Sequence, residues 1–545
     1  MNSLNNILEC IDNNDIEQLK LIIDYANDND IILQLNEKDE NGIYPLLSAI
    51  FETNIDIINI LIEYAENNNI ILELNEKDDK GIYPLLSAVY KTDVEIVKIL
   101  MNYSDKHNVI LNLNEKDNTK NYPLLISIFE NDIDIILLLM EYADRHNIIL
   151  ELNEKNSINN YPILCACNEI NDEIVQILIN YADKHDILLE LNEVSEGDYP
   201  ILNATVKDNF EIVLLLIDYA NKHDIKLELN KKNYLNNYPI LCAIFANNFD
   251  MVKLLIDYAE EHDILLELNE KGDNGNYPLI WSIIEINVDM VKMLIDYAER
   301  HDIILKLNEK TNINYYTLLS ATYVNSIEII ELLIDYADRH DIILEMNAKE
   351  VYEKFPLLNA IFQNNIEMVK VLIDYANKHD IILEINEKDD YNNYPLTVAI
   401  IKNNIEIVEL LMDYSNEYDI ILNLNIKDLE GDYPIFFATY INNYDMVKLL
   451  IDYAENHDII LELNERDDEG DYPLFFAIYL NNYDMVKLLI DYAENHDILL
   501  EYSENYDGIN PLLCNIKNNN EIRELLMDYA EKHEINFNEL ILKEE

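Results

Sequence analysis

Histidine has the most versatile side chain in protein chemistry, and in this chain its positions follow a repeat. The 11 histidines recur about every 39 residues from His107 to His533, each four residues after a tyrosine. Copies that stack about 10 Å apart cannot bring several such rings within about 2.1 Å of one zinc ion. We therefore expect no metal site. Each histidine is placed at the end of a helix, where its ring meets free backbone carbonyl groups.

The cysteines offer no better candidate for chemistry. The five cysteines all lie where the first helix of a copy is expected: Cys10, Cys165, Cys167, Cys242 and Cys514. The pair at 165 and 167 points in two directions on a helix, which favours small core residues over a redox pair. The N-terminus shows no basic segment followed by an apolar one, and no apolar run approaches the length of a membrane span. We expect a soluble, cytoplasmic protein, and the sequence does not exclude the nucleus.

Acidic and glycine-containing motifs also fall short of a catalytic centre. The recurring Asn-Glu-Lys-Asp, as at residues 75–78, lacks the D-x-D-x-D-G spacing of a calcium loop. Seven of the eight glycines occupy one turn position, which leaves no loop to cradle a phosphate. A catalyst needs unlike groups that converge, whereas a repeat spreads like groups along a line. The sequence predicts no enzyme, no cofactor and no metal.

The elements that position these side chains repeat about every 39 residues. Proline marks the period, with steps of 39 residues or of 38 at two places, and Thr317 takes its position once. Fixed periods of this length are typical of solenoids. We expect fourteen copies in one continuous solenoid over residues 1–545, the first copy an N-terminal cap and the last a C-terminal cap ending at residues 540–545. The 12 prolines are Pro45, Pro84, Pro123, Pro162, Pro200, Pro239, Pro278, Pro356, Pro395, Pro434, Pro473 and Pro511.

Residues 39–77 show what one copy contains. Gly42 belongs to a column of glycine and asparagine, the residues that best tolerate positive φ, so the copy opens with a tight turn. Pro45 suits the first turn of a short helix, which we expect to end near Asn54. A longer helix with one apolar face follows, and residues 70–77 return in irregular form to the next turn. The pattern predicts an all-α array of helix-turn-helix units.

The two helices of a copy carry motifs that recur along the chain. Residues 84–88 read Pro-Leu-Leu-Ser-Ala and residues 95–100 read Glu-Ile-Val-Lys-Ile-Leu. The same motifs read Pro-Leu-Leu-Asn-Ala at 356–360 and Glu-Met-Val-Lys-Val-Leu at 367–372. These motifs resemble those of the ankyrin repeat. The resemblance covers essentially the whole chain and implies an ankyrin-like helical solenoid. A HEAT-like helical hairpin array also fits the period, but the turn directly before the proline argues against it.

The copies depart from the ankyrin pattern in two ways. Tyr-Pro-Leu-Leu stands where the family has Thr-Pro-Leu-His, so apolar packing replaces the histidine network between repeats. The copy is also about six residues longer than the usual ankyrin repeat of about 33 residues. Alignment places the extra length after the second helix, at residues 66–71 of the copy described above. We expect these residues to extend that helix.

A tyrosine stands in the second helix of every copy. A residue kept in the first and last copies as well as the middle ones favours packing over binding. We expect a ladder of stacked rings with each hydroxyl group at the surface. The tyrosines are Tyr25, Tyr64, Tyr103, Tyr142, Tyr181, Tyr219, Tyr258, Tyr297, Tyr336, Tyr375, Tyr414, Tyr453, Tyr492 and Tyr529.

The last residue of the first helix varies between copies and is often aromatic. The resemblance places this position on the concave face of an ankyrin array, which binds partners together with the turn tips. Aromatic side chains there would form a hot-spot surface, and packing between copies is the alternative interpretation. The candidate partner-binding residues are Phe51, Tyr90, Phe129, Phe245, Tyr323, Phe362, Tyr440 and Tyr479.

Charge defines the kind of partner. Lysine and arginine number 38 against 106 aspartates and glutamates, a net charge of −68. Such a field repels nucleic acid and anionic membranes and attracts basic proteins. We expect a monomeric, non-enzymatic scaffold that binds a basic or partly apolar protein through the concave face and turn tips. The alternative is an acidic binder that sequesters basic proteins with little specificity.

Overall fold

The computed structural model of the chain describes residues 3–501, 505–509 and 520–534. Over these residues it contains 27 helices and no strand beyond one isolated bridge between Ser195 and Asp198. Short and long helices alternate, as the fourteen-copy pattern predicts. The chain divides into two compact units, Met1–Glu267 and Leu268–Glu545. The C-terminal cap expected at residues 540–545, the proline at 511 and Cys514 lie outside the described residues.

The first unit contains fourteen helices, α1 to α14, in seven short–long pairs. In chain order they are Ser3–Asp12, Ile16–Asp28, Pro45–Phe51, Ile55–Asn67, Pro84–Tyr90, Val94–His107, Pro123–Phe129, Ile133–His146, Pro162–Asn168, Asp172–Lys184, Pro200–Val206, Phe210–Lys222, Pro239–Phe245 and Phe249–Glu261.

In the second unit the described residues form thirteen helices, α15 to α27. They are Pro278–Ile284, Val288–Arg300, Thr317–Tyr323, Ile327–Arg339, Pro356–Phe362, Ile366–Lys378, Pro395–Ile401, Ile405–Glu417, Pro434–Tyr440, Tyr444–Asn456, Pro473–Tyr479, Tyr483–Asn495 and Asn520–Lys532.

Proline and asparagine set the helix boundaries of each copy. Tyr44 is extended and Pro45 opens the short helix, where its missing N–H has no partner to lose. This helix ends at Phe51, three residues before the predicted end near Asn54. The difference has a simple cause: the Asn54 side chain accepts a hydrogen bond from Ile57 N and caps the second helix instead.

Residues 66–71, the additional residues of the copy, were predicted to extend the second helix. The prediction was wrong for most of them. The helix ends at Asn67, which leaves only residues 66 and 67 of the expected extension helical. Asn69 then adopts a left-handed conformation with φ of 55°, and Ile70 N donates to Ala65 O at 2.8 Å to close the helix end. The remaining residues begin the return segment, in which Leu72 and Leu74 are buried.

The turn that opens each copy approaches the backbone of the next copy closely. Gly42 has φ of 79°, as the glycine column predicts, and a Cβ atom there would lie 2.9 Å from Asp78 Cα. Asp79 N donates to Asn41 O at 3.0 Å, so neighbouring turn tips are joined through their main chains. The turn tips therefore form an ordered edge.

The core consists of the apolar faces of the helices and the inward residues of the return segments. Ile57, Ile58 and Leu61 are buried in the second helix, and Leu46 and Leu47 in the first. The four described cysteines are free and buried, which confirms their predicted place in the core. Burial raises the pKa of the Cys242 thiol to about 12, so this thiol stays protonated and unreactive.

Candidate partner-binding surface

The eight aromatic residues predicted to bind a partner, which we call the helix-end row, differ in exposure. Five project into solvent: Phe129 is 52% exposed, Phe245 58%, Tyr323 57%, Tyr440 57% and Tyr479 48%. The other three are half-buried: Phe51, Tyr90 and Phe362. Large aromatic side chains exposed to this extent leave apolar area available for a partner.

Two of the half-buried members of the helix-end row contact turns: Tyr90 contacts the turn of the next copy and Phe362 that of its own copy. Tyr90 donates its hydroxyl hydrogen to Asp117 Oδ2 at 2.6 Å and accepts from Asn121 Nδ2 at 2.9 Å, both in the next copy. The ammonium group of Lys354 lies 5.1 Å from the ring centre of Phe362. At Tyr90 the observed contacts are those of packing between copies.

A second row of exposed apolar side chains follows the return segments, and the sequence analysis did not single it out. We call it the return-segment row. The side chains of its members are 52–59% exposed. Successive side chains along each return segment point alternately to solvent and to the core, so Ile71 is exposed while Leu72 is buried. The signal was present in the sequence as an aliphatic residue before the buried leucine in nearly every copy. The members are Ile32, Ile71, Ile110, Ile149, Leu188, Leu265, Ile304, Ile343, Ile382, Ile421, Ile460 and Leu499.

The hydroxyl group of the second-helix tyrosine was predicted to lie at the surface. That prediction was wrong, because the hydroxyl group is buried between copies. Tyr103 Oη accepts a hydrogen bond from Leu72 N at 3.0 Å, in the return segment of the preceding copy. Tyr64 Oη likewise accepts from Leu33 N at 3.1 Å. The hydroxyl group thus satisfies a buried main-chain N–H of an irregular segment, which no helix or sheet would satisfy. Tyr25, in the first copy, is 64% exposed.

Most of the histidines lie beside a carboxylate of the preceding copy, a partner that the sequence analysis missed. His223 Nε2 lies 2.7 Å from Asp183 Oδ1, and Lys222 Nζ lies 2.6 Å from the other oxygen of the same carboxylate. The histidine ring also packs on the tyrosine four residues earlier, with ring centres 4.2 Å apart for Tyr219 and His223. The expected contact with a helix carbonyl group is seen at His457, whose Nδ1 lies 2.9 Å from Tyr453 O.

The Asn-Glu-Lys-Asp motif joins consecutive copies. Asn75 Nδ2 donates to Ile110 O at 2.7 Å, and Asn75 Oδ1 accepts from Asn112 N at 2.9 Å. Lys77 Nζ lies 2.6 Å from Glu115 Oε2 of the next copy. Many of the lysines are thus engaged within the protein. With 106 acidic residues against 38 basic ones, the surface that remains for a partner is strongly acidic.

Comparison of the sequence with family models agrees with this architecture. A family model of ankyrin repeats, built of three copies, matches residues 7–109, 162–267, 240–345, 318–423 and 419–499. The chain belongs to the ankyrin repeat family, whose repeats are a protein–protein interaction module. Among solved structures, the ankyrin repeat domain of Bcl-3, described as a unique member of the IkappaB protein family, is similar at 17% identity and a TM-score of 0.34. That alignment covers 46% of this chain and 98% of the Bcl-3 chain.

No curated protein matches the chain significantly in sequence. Among the described helices, none combines the length and the apolar character needed to cross a membrane.

Proposed function

We propose that this chain is a non-enzymatic, monomeric scaffold that binds a basic or partly apolar protein inside the cell, through the helix-end row and the turn tips. The observation that carries the proposal is the exposure of five large aromatic side chains at one position of the repeat. Exposed aromatic groups on a strongly acidic surface suit a partner segment that combines cationic and apolar side chains. The same charge disfavours nucleic acid and anionic membranes as ligands.

A second candidate function rests on the charge alone. Lysines such as Lys77 and Lys222 already pair with carboxylates of a neighbouring copy. The 38 lysines and arginines are too few to pair with all 106 aspartates and glutamates, so most of the acidic side chains have no basic counterpart. An acidic surface of this kind would sequester basic proteins with little discrimination between them. Such binding depends on long-range attraction, which salt screens, whereas burial of aromatic side chains persists in salt.

Partner capture from lysate of the source organism at about 0.1 M and about 0.5 M salt, where the screening length falls to about 4 Å, separates the two functions. One bait carries Phe129, Phe245 and Tyr323 changed to serine. The matched bait carries Ile110, Ile149 and Ile304, equally exposed members of the return-segment row, changed to serine. Thermal unfolding confirms that both variants fold.

A defined partner that survives high salt, and is lost only from the aromatic variant, is the result we expect. Loss from the isoleucine variant alone would move the binding surface to the return-segment row. A mixture of basic proteins that leaves all baits at high salt would favour sequestration.

A further inference from the structure

A cavity of about 350 Å³ lies between two consecutive copies of the second unit. One copy contributes Asp432, Phe437 and Tyr440, and the next contributes Phe476 and the turn tip at residues 467–469. The first helices of these two copies both contain the pair Phe-Phe after their second residue, which no other copy in the sequence has. The aromatic lining of the cavity is therefore a local feature of these copies.

Aromatic rings at right angles form the walls of this cavity. The ring of Phe476 stands at 89° to Tyr440 with 5.0 Å between ring centres, and at 86° to Phe436 with 5.5 Å between them. Phe436 and Phe437 are also nearly perpendicular, at 83°. The rings thus pack edge to face and line the cavity with aromatic carbon, against which the stem and the charged end of a cationic side chain can lie.

A carboxylate without a partner lines the same cavity. Asp432 is only 9% exposed, and its Oδ1 atom is buried with no hydrogen-bond partner. Buried polar atoms are almost always hydrogen-bonded, so an unpaired carboxylate oxygen indicates that something else completes the site. Among the described residues, no lysine or arginine forms an ion pair with Asp432. Lys427, the cation nearest in sequence, pairs with Glu465, and Arg466, which precedes the turn tip of the next copy, pairs with Glu501.

Some equivalent junctions elsewhere in the chain pair a donor with an acceptor. At these junctions the residue before the tyrosine that opens the first helix of one copy contacts the first turn residue of the next copy. Asn505 Nδ2 donates to Asp471 Oδ1 at 2.9 Å, and Asn233 Nδ2 donates to Asp198 Oδ1 at 2.9 Å. At the junction after Asp432 the first turn residue is Asp467, a second carboxylate.

The electrostatic consequence is a proton or a cation held at this junction. Burial, followed by the negative charges of Asp428, Asp467, Glu430 and Glu469, raises the pKa of Asp432 to about 7. A positive charge placed beside the carboxyl group would lower that pKa again and leave the group ionised at neutral pH.

The same place in the first unit provides an internal comparison. A cavity of about 190 Å³ there is lined by Asn121, Ile126 and Cys165, at the positions of Asp432, Phe437 and Phe476. Asn121 accepts a hydrogen bond from Asn156 Nδ2 at 3.0 Å, so its amide oxygen is satisfied. The larger, acidic and aromatic cavity thus differs in chemistry from its counterpart at these three positions.

We infer that the cavity at Asp432 binds the cationic side chain, lysine or arginine, of a protein partner. The carboxylate of Asp432 and the acids of the turn tip pair with the charged group, while Phe476, Phe437 and Tyr440 contact its aliphatic stem and offer their π-systems. The inference rests on the proposed scaffold function and makes it specific, because it names one anchor point on an otherwise uniform repeat.

A divalent metal ion fits this site less well. Carboxylate oxygens of Asp467, Glu469 and Asp471 lie within 4.8 Å of one another beside the cavity. However, Asp467 Oδ1 already accepts hydrogen bonds from Glu469 N and Asp471 N, and Asp471 Oδ1 accepts from Asn505. Calcium requires six to eight oxygen ligands, and aromatic walls supply none.

The test uses the full chain and ligand-observed saturation-transfer NMR, which detects weak binding to a large protein. The probe is Nα-acetyl-lysine methylamide, and its uncharged counterpart is Nα-acetyl-norleucine methylamide. Three variants are compared with the wild type: Asp432→Asn, Phe476→Leu and the control Asp471→Asn. The control removes the same charge from a carboxylate that Asn505 already satisfies.

We expect the lysine probe to bind and the norleucine probe to give little signal. Asp432→Asn should weaken binding of the lysine probe about tenfold, as for loss of a hydrogen bond to a charged group. Phe476→Leu should weaken it about threefold, as for loss of a cation–π contact, and Asp471→Asn should change it little. Equal binding to wild type and Asp432→Asn would overturn the inference. If millimolar calcium chloride displaced the probe, and calorimetry also detected calcium binding, the site would be assigned to a metal ion.

Failure of this inference is distinguishable from failure of the scaffold function. The capture experiment changes Phe129, Phe245 and Tyr323, none of which lines this cavity. A captured partner without probe binding would remove only the cavity. Probe binding at Asp432 without any captured partner would keep the cation site and remove the scaffold.

Discussion

His146 Nε2 lies 2.7 Å from Asp105 Oδ1, an atom of the preceding copy. Arg145 Nη1 lies 2.5 Å from the other oxygen of the same carboxylate, so one acid receives two neighbouring cationic or donor groups. The arrangement recurs along the chain, with Asp144, Asp183 and Asp338 each bound to a lysine and a histidine of the following copy. Repeat arrays are stabilised largely by interfaces between neighbours, and these carboxylates belong to those interfaces.

Acid should weaken these junctions. A hydrogen bond from Lys184 holds the pKa of Asp144 below its ordinary value, and Lys222 and Lys378 do the same for Asp183 and Asp338. A carboxyl group with a lowered pKa in the folded state contributes stability above its unfolded pKa and loses it as pH falls further. The loss is therefore expected below about pH 4.

The measurement is thermal unfolding, followed by circular dichroism from pH 7 to pH 3. Changing all three aspartates to asparagine should lower the midpoint at pH 7, each pair contributing at most about 1 kcal/mol. The difference from wild type should shrink below pH 4. A control variant changes Asp218, Asp257 and Asp452, exposed carboxylates of second helices. A control that behaves identically would show that only net charge matters.

The buried tyrosine hydroxyl predicts a position-dependent effect of one substitution. Tyr103→Phe removes the acceptor for Leu72 N and leaves that buried N–H without its partner. We expect a loss of about 1–3 kcal/mol in stability. Hydrogen exchange of the Leu72 amide should accelerate with it. Tyr25→Phe, which changes a tyrosine that is 64% exposed, should leave stability within about 0.5 kcal/mol of wild type. Similar effects at both positions would contradict a role for the buried hydrogen bond.

The asparagine of the Asn-Glu-Lys-Asp motif makes two hydrogen bonds to the next copy and should be the most sensitive residue of that motif. Asn75→Ala removes the bonds to Ile110 O and Asn112 N, at a cost of about 1–2 kcal/mol for two partly exposed hydrogen bonds. Asn59→Ala, on the exposed side of a second helix, should be neutral or slightly stabilising because alanine favours helix. Denaturant unfolding of both variants tests this. A neutral Asn75→Ala would show that solvent replaces the bonds without cost.

The sequence pattern was sufficient to predict the fold but only part of the interactions between copies. Proline such as Pro45, glycine such as Gly42 and the apolar spacing are local signals, since each acts within its own turn or helix. The hydroxyl of Tyr103 and the carboxylate of Asp183 were misjudged or missed because their partners lie about 31 and 40 residues away, in a neighbouring copy. Asp432 was missed for the same reason: only its position opposite Asp467 makes it unusual.

The raised pKa of Asp432 predicts a site where removing a charge stabilises the protein. A carboxyl group whose pKa rises from about 4 in the unfolded chain to about 7 in the folded state binds its proton more tightly when folded. Its ionisation therefore opposes folding, and stability is lost as pH rises from about 4 to about 7. Asp432→Asn removes this loss and supplies an amide donor for Asp467, as Asn505 does for Asp471.

The variant should therefore unfold at the same temperature as wild type near pH 4 and about 3 °C or more above it at pH 8. Asp428, Glu430, Asp467 and Glu469 face the same group, and they stay unchanged in both proteins. Asp471→Asn keeps a side-chain oxygen that can accept the hydrogen bond from Asn505, so this variant should change the midpoint less than Asp432→Asn does. An Asp432→Asn variant less stable than wild type at pH 8 would mean that the carboxylate already has a counter-charge in solution. The comparison thus measures, without any ligand, how much the unpaired negative charge of Asp432 destabilises the folded protein. A cation from a partner would offset that destabilisation.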